Sequence, residues 1–178
     1  MAETTLLFDE LKTPIGQLFL GVTEAGVLRR LGGRDWNDDA AVWESKGRRS
    51  KDPFGFTTKL RAYFEGELGA IEGLATAGEG TDFQRRVWRA LCDIPAGTTC
   101  SYGELAKRVG TPKACRAVGA ANGANPIGIV VPCHRVIGAN GTLTGYGGGL
   151  DRKRWLLAHE TRFAPRSLFA APGQARGA

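Results

Sequence analysis

Pro132-Cys133-His134-Arg135-Val136 is the stretch of this chain best equipped to do chemistry. It follows Asn125-Pro126 and the apolar, β-branched run Ile127-Gly128-Ile129-Val130-Val131, which predicts a strand ending at the thiol, with Pro132 stiffening φ just before it. The thiolate is the working nucleophile, and a free cysteine with a pKa of about 8.5 is mostly protonated at neutral pH. A neighbouring His and cationic groups lower that value, whereas an apolar wall raises it. A buried structural cysteine is the alternative, since Cys is among the most buried residue types. The choice between the two turns on the rest of the chain.

The elements that must position Cys133 are legible on both sides of it. Thr81-Asp82-Phe83-Gln84 is a capping box opening a helix, with Phe83, Val87, Ala90, Leu91 and Ile94 on one face and Pro95 as its stop. Arg85, Arg86 and Arg89 lie on the other face, which reads first as a solvated one. Ser101-Tyr102-Gly103-Glu104 is a second capping box, and Gly110 ends that short helix. Thr111 as N-cap and Pro112 at the first position then predict a second helix over Lys113–Asn122. Small residues dominate it (Ala114, Ala117, Gly119, Ala120, Ala121), and Arg116 is the one long cation in its middle. A helix, a tight turn and a second helix make a helix-turn-helix whose backbone can approach a partner closely.

After the thiol comes a Gly-rich loop, residues 137–150, containing Gly145-Tyr146-Gly147-Gly148-Gly149. It lacks the Gly-Lys-Ser/Thr of a phosphate-binding loop. It is either a flexible connection or a pocket wall in which backbone approaches a flat ligand under Tyr146. A last helix, Asp151–Glu160, has Asp151 as cap, and its Glu160 faces the negative pole of the helix dipole, which asks for a partner. Residues 163–178 read as a loose tail.

Upstream, residues 4–9, 15–23 and 26–31 predict three strands, with a hairpin connection at Glu24-Ala25-Gly26. A short helix is expected over Asp38–Lys46, a loop over Gly47–Asp52 and a helix over Pro53–Phe64. No catalytic constellation is visible there. The Gly/Ala-rich stretch Gly66–Gly80 predicts a linker, dividing the chain into a scaffold domain (1–80), a catalytic domain (81–162) and the tail (163–178). The fold class expected is α+β: a small antiparallel-sheet domain followed by a mainly helical one.

The 178 residues are 42% hydrophobic and 24% charged, an ordinary globular balance that excludes disorder. A net charge of +6 suits a polyanionic partner. The acidic, polar start is unlike a signal peptide, and no apolar run is long enough to span a membrane, so a cytoplasmic protein is expected. The four cysteines have no Cys-x-x-Cys spacing and no zinc-ligand pattern.

Residues 81–160 resemble the methylated-DNA–protein-cysteine methyltransferases, the O⁶-alkylguanine-DNA alkyltransferases. The likeness rests on Arg116-Ala117-Val118-Gly119-Ala120-Ala121-Asn122, Asn125-Pro126, Pro132-Cys133-His134-Arg135-Val136, Gly145-Tyr146-Gly147-Gly148-Gly149 and Trp155-Leu156-Leu157-Ala158-His159-Glu160. The stand-alone bacterial form is nearest, and the first domain resembles the family's ribonuclease-H-like domain in outline. The resemblance implies that Cys133 accepts the alkyl group, His134 removes its proton through a water, and Glu160 orients His134. It implies that Asn125 ties the helix-turn-helix to the active-site strand, and that Arg116 fills the gap left by a flipped nucleotide. Tyr102 would contact the rotated phosphate and donate to the base. Thr111, Ala114, Ala117, Ala121, Asn122 and Arg135 would complete the DNA-contacting set. Tyr146, Gly147, Gly148, Val136 and Lys153 would form the substrate pocket.

The implied partner is duplex DNA carrying O⁶-alkylguanine or O⁴-alkylthymine, met by a monomer that reacts once and needs no cofactor. Gly147 stands where some relatives carry Ser, removing a hydroxyl donor and admitting bulkier adducts. The zinc ligands of some relatives are missing, so no structural zinc is expected. A lesion-binding module without transfer and a Cys-His hydrolase are the competing readings. The first would lack the nucleophile, and the second would turn over.

Overall fold

The computed structural model describes residues 5–33, 36 and 47–165. The helix expected over Asp38–Lys46 and the tail beyond residue 165 lie outside them. Strands β1 (Leu6–Thr13), β2 (Gly16–Thr23) and β3 (Leu28–Gly33) form an antiparallel meander close to the predicted spans. The expected loop at residues 47–52 instead begins with a strand, β4 (Gly47–Arg49), parallel to β1, giving the order β3-β2-β1-β4. Its basic sequence reads as loop because charge is what blunts an exposed sheet edge, and Arg49 pairs with Glu10 of β1 at 2.5 Å.

Inner strand β2 buries Leu18, Phe19, Leu20 and Val22, side chains that point to both faces of the sheet. Each side chain so buried contributes about 1.5–3 kcal/mol. Helix α1 (Phe56–Glu65) packs on β1 and buries Phe56, Leu60 and Tyr63. It is preceded by a 3₁₀ turn, Pro53–Gly55, where the sequence predicts helix from Pro53.

The connection over residues 66–80 is held along its length. Leu68 and Ile71 of a 3₁₀ turn are buried, and the Leu28 N–H donates to Ala75 O (2.9 Å) while Ala77 N–H donates to Leu28 O (3.0 Å). Composition alone reads such a stretch as free because Gly and Ala carry little side chain to announce these contacts.

Helix α2 (Asp82–Cys92) and helix α3 (Tyr102–Arg108) both begin with the predicted capping boxes, each closed by its two reciprocal hydrogen bonds. Gly110, at φ 76°, ends α3: its N–H donates to Lys107 O and that of Thr111 to Ala106 O, the paired pattern of a left-handed helix stop. The following helix, α4, spans Cys115–Gly123 and starts later than the sequence predicts. Ala114, not Thr111, is its N-cap, and the Thr111 hydroxyl is buried with no protein partner. The Thr111 N–H is used to close α3 and the Ala114 N–H donates to Thr111 O (2.9 Å), so Pro112 sits in a turn. Trp88 of α2 locks α4 by donating from its indole N–H to Ala121 O at 2.8 Å.

A two-residue parallel pair, β5 (Cys100–Ser101) with β6 (Val136–Ile137), brackets the Cys133 turn. Helix α5 runs Leu150–Phe163, longer than predicted at both ends, with Gly149 rather than Asp151 at its N-cap. Among the described residues, no helix is long and apolar enough to cross a membrane.

Candidate active site

The run before Cys133 is not a strand. Leu31 of β3 makes a single parallel bridge to Ile127, after which the chain turns through Gly128–Val130, with Ile129 at φ 71°. Asn125 supplies what a sheet ladder would have. Its Nδ2 donates to Val131 O at 2.8 Å, and its Oδ1 accepts from Ile127 N–H at 3.0 Å. One side chain thus closes the turn at both ends, and a β-branched residue is held in a left-handed conformation that β-propensity argues against. Cys133 then opens a 3₁₀ turn, Cys133–Arg135.

The thiol lies 8% exposed at the floor of a cleft lined by Asn122, Asn125, Tyr146, Gly147, Gly148 and Trp36. Burial pushes its pKa up, although Asn125, the charge of Lys153 and the backbone N–H groups of Cys133 and His134 pull the other way. Both influences expected from the sequence are present, and burial is the larger. At rest Cys133 is a thiol, and any attack by its sulfur would need a base to take the proton.

His134 follows Cys133 directly in that turn. It is fully buried, and burial holds its pKa below the usual value despite the opposing pull of Glu160, so the ring is neutral at rest. Glu160 is acceptor-only when ionised, which assigns the ring proton to Nε2, donating to Glu160 Oε1 at 2.8 Å. The lone pair is then on Nδ1, buried with no protein partner.

Burial would raise the pKa of Glu160, but the charges and hydrogen bonds of His134 and Arg135 hold it well below the carboxylate range. Arg135 contributes Nε to Oε2 (2.9 Å) and Nη2 to Oε1 (2.8 Å), a bidentate fork, while its Nη1 donates to Ile94 O (2.5 Å). The partner that a carboxylate near a helix C-terminus needs is therefore Arg135. Expected on the DNA face, Arg135 is instead 7% exposed and committed to Glu160. Twenty-five residues separate the two, and no local pattern links them.

Other expected site residues divide by depth. Arg116 and Ala117 are exposed on α4, Thr111, Ala114 and Tyr102 are half-buried, and Asn122 is buried against Cys133, its Nδ2 donating to Cys133 O at 3.4 Å. Ala121 is buried facing Trp88, so it packs α4 instead of presenting a surface. Val136 and Lys153 are buried and are not among the residues lining the pocket. Lys153 Nζ donates to Val136 O (2.6 Å) and Thr144 O (2.9 Å), pinning the Gly-rich loop to β6. The Tyr102 hydroxyl approaches Thr144 O at 3.5 Å from the other side of that loop.

The first region contributes more than a scaffold. Trp36 meets Tyr146 edge-on at 5.8 Å, and a Cβ at Gly128 or Gly148 would come within 2.8 or 2.9 Å of its ring. These two glycines are small because aromatic rings fill the space over them. Trp36 and Tyr146 both border the cleft beside Cys133 and so bound the space there. Tyr63, from α1, donates its hydroxyl to Glu160 at 2.8 Å. Neither residue has a neighbour in sequence that marks it.

Comparison with known proteins agrees with this geometry. Residues 82–162 match the family described as 6-O-methylguanine DNA methyltransferase, DNA binding domain. The chain is 49% identical over 163 residues to a methylated-DNA–protein-cysteine methyltransferase of Salmonella typhimurium, covering 87% of this chain and 95% of that one. The chain belongs to the methylated-DNA–protein-cysteine methyltransferases. Its fold superposes on the Mycobacterium tuberculosis O⁶-methylguanine methyltransferase with a TM-score of 0.79 at 44% identity, over 93% of this chain and 99% of that one. The DNA complex of the M. tuberculosis protein gives 0.78 at 47% identity, over 90% and 96%. As a methyltransferase of this family, the chain repairs DNA by alkyl transfer to a protein cysteine. DNA is its partner.

Proposed function

We propose that this methyltransferase extrudes O⁶-alkylguanine, and O⁴-alkylthymine, from duplex DNA and moves the alkyl group onto Cys133. The observation that carries the reading is the Cys133–His134–Glu160 arrangement at the floor of a cleft bordered by the end of α4. The cleft-lining Asn122 and Gly123 end that helix, whose exposed face is Arg116, Ala117 and Ala120. A smooth face with one long cation suits a groove, α3 and α4 serving as the helix-turn-helix. A base stacked in a duplex cannot reach a buried thiol, so flipping is required.

His134 Nδ1 takes the thiol proton through a water, the sulfur attacks the alkyl carbon, an S–C bond forms and the C–O⁶ bond breaks. Tyr102 gives a proton to the leaving guanine while backbone N–H groups hydrogen-bond the same edge. The tyrosinate is reprotonated by the proton that His134 took from the thiol, so protons balance. The thioether is stable, and each monomer acts once. The connection over 66–80 would then separate a scaffold from the DNA-binding part.

Intact-mass and peptide analysis after incubation with a duplex containing one O⁶-methylguanine tests this. The expected result is one methyl group per chain, on Cys133, with Cys92, Cys100 and Cys115 unmodified. Burial raises the thiols of Cys92 and Cys100, and neither has a histidine next to it in sequence. A methyl on Cys100, or turnover without adduct, would refute the assignment.

Arg116→Ala should slow repair of duplex DNA roughly a hundredfold, yet leave reaction with free O⁶-alkylguanine base within about twofold. Unstacking costs a few kcal/mol, and a side chain that fills the gap offsets part of it. Single-turnover rates on both substrates decide; equal losses would indicate damaged packing and remove the gap-filling role.

A further inference from the structure

We infer that Tyr63 is a positioning residue for alkyl transfer, setting through Glu160 how strongly His134 binds a proton. This deepens the reading above and rests on it. Helix α1 belongs to the first region, yet Tyr63 is fully buried and grips two consecutive residues of α5. Its hydroxyl donates to Glu160 Oε1 at 2.8 Å, and its backbone carbonyl accepts from His159 Nε2 at 2.8 Å. His159 is held in turn by ring contacts with Tyr63 itself at 5.3 Å and with Trp155, stacked at 4.8 Å. The hydroxyl's bond to Glu160 and the carbonyl's bond to His159 are thus separate contacts.

Glu160 Oε1 accepts from three groups: Tyr63 Oη, His134 Nε2 and Arg135 Nη2. Oε2 accepts from Arg135 Nε and Gly97 N–H. His134 and Tyr63 thus share one oxygen. Every donor on that oxygen draws off negative charge that would otherwise stabilise a protonated His134. A tyrosine is suited to this because it donates without adding charge, and burial with Glu160 nearby keeps its own pKa well above the usual value. The result is a base held ready to take a proton but not already charged, while Cys133 is still a thiol.

Further ionisable groups surround the pair. Arg135 follows His134 in the turn, Lys153 comes from α5, Cys133 precedes His134, and Tyr146 reaches in from the Gly-rich loop. Among these, the Tyr63 hydroxyl alone combines neutrality with a direct bond to the oxygen that His134 uses.

The test is Tyr63→Phe in the full chain, which keeps the ring and removes the hydroxyl. Loss of one donor leaves Glu160 more basic, stabilises the His134 cation and raises its pKa. The acidic limb of the single-turnover rate against pH should move up by about half a unit or more, which is a rate drop of roughly threefold or more at a pH on that limb. His159→Phe is the structural control: it cuts the bond to the Tyr63 carbonyl but leaves the hydroxyl on Glu160. It should lower thermal stability without moving the limb. A Tyr63→Phe profile coinciding with that of the parent chain, or a limb moved equally by His159→Phe, would overturn the inference. Both outcomes are read on chains in which the parent forms its Cys133 adduct. Failure of that adduct in the parent would sink the transfer reading instead.

Discussion

Cys133→Ser protein takes up no methyl group from a duplex containing O⁶-methylguanine, and its affinity for that duplex stays within a few-fold of the parent's. The substitution replaces sulfur by oxygen at a site only 8% exposed, with Asn122, Asn125 and Tyr146 unchanged around it. A hydroxyl beside a neutral His134 is a far weaker nucleophile than a thiol whose proton the same imidazole can remove. Loss of transfer by about a thousandfold or more corresponds to about 4 kcal/mol of barrier. The measurement is intact mass after long incubation, alongside a binding titration at fixed salt. Adduct formation by the Ser variant would move the acceptor to another cysteine.

Glu160→Gln should both slow transfer and destabilise the fold. Asked of the sequence alone, this substitution near a helix end would change stability by about 0.5 kcal/mol or less. The structure gives a different answer, because Arg135 is buried and its fork is bonded to that carboxylate. Removing one partner of a buried pair costs about 3–5 kcal/mol, chiefly from the charge left behind. Transfer slows as well, since a neutral amide does not stabilise the imidazolium formed when His134 takes the thiol proton.

The pH dependence of stability separates this carboxylate from the others. Burial raises the pKa of Glu160, but His134 and Arg135 more than offset that, so the folded value lies below the ordinary value of 4.5. A group depressed in the folded state contributes stability that is fully present above the unfolded pKa and is lost as pH falls. Stability of the parent chain should therefore decline below about pH 4.5, and the Gln variant should lose less over the same interval. Glu79, Asp52 and Glu104 are also lowered, so the difference between the two chains carries the test. Urea midpoints near about pH 6 and about pH 3 measure it. Parallel declines in the two chains would remove Glu160 from the acid response.

What could be read ahead of the structure follows from the range of the forces involved. The capping boxes at Thr81 and Ser101 close within three residues, and the Gly110 stop within five, so residue type and spacing are enough to specify them. The alternation and turn signals of the first three strands are likewise local. Cys133, His134 and Glu160 were legible as residues with a chemistry, and the family resemblance supplied their roles.

Other features depended on contacts between distant parts of the chain. The β-branched run before Cys133 has strand propensity, yet β3 offers it one bridge and Asn125 folds the remainder into a turn. Thr111-Pro112 has a helix-start signature that loses to the closing hydrogen bonds of α3. Arg135 reads as a surface cation until its distance to Glu160 is known, and Tyr63 is 97 residues from the carboxylate it serves. The sequence by itself determined which residues could do chemistry and where the helices bearing them begin. Tertiary structure alone decided which charges are buried together, because desolvation and pairing depend on neighbours brought close by folding, not on neighbours in the chain.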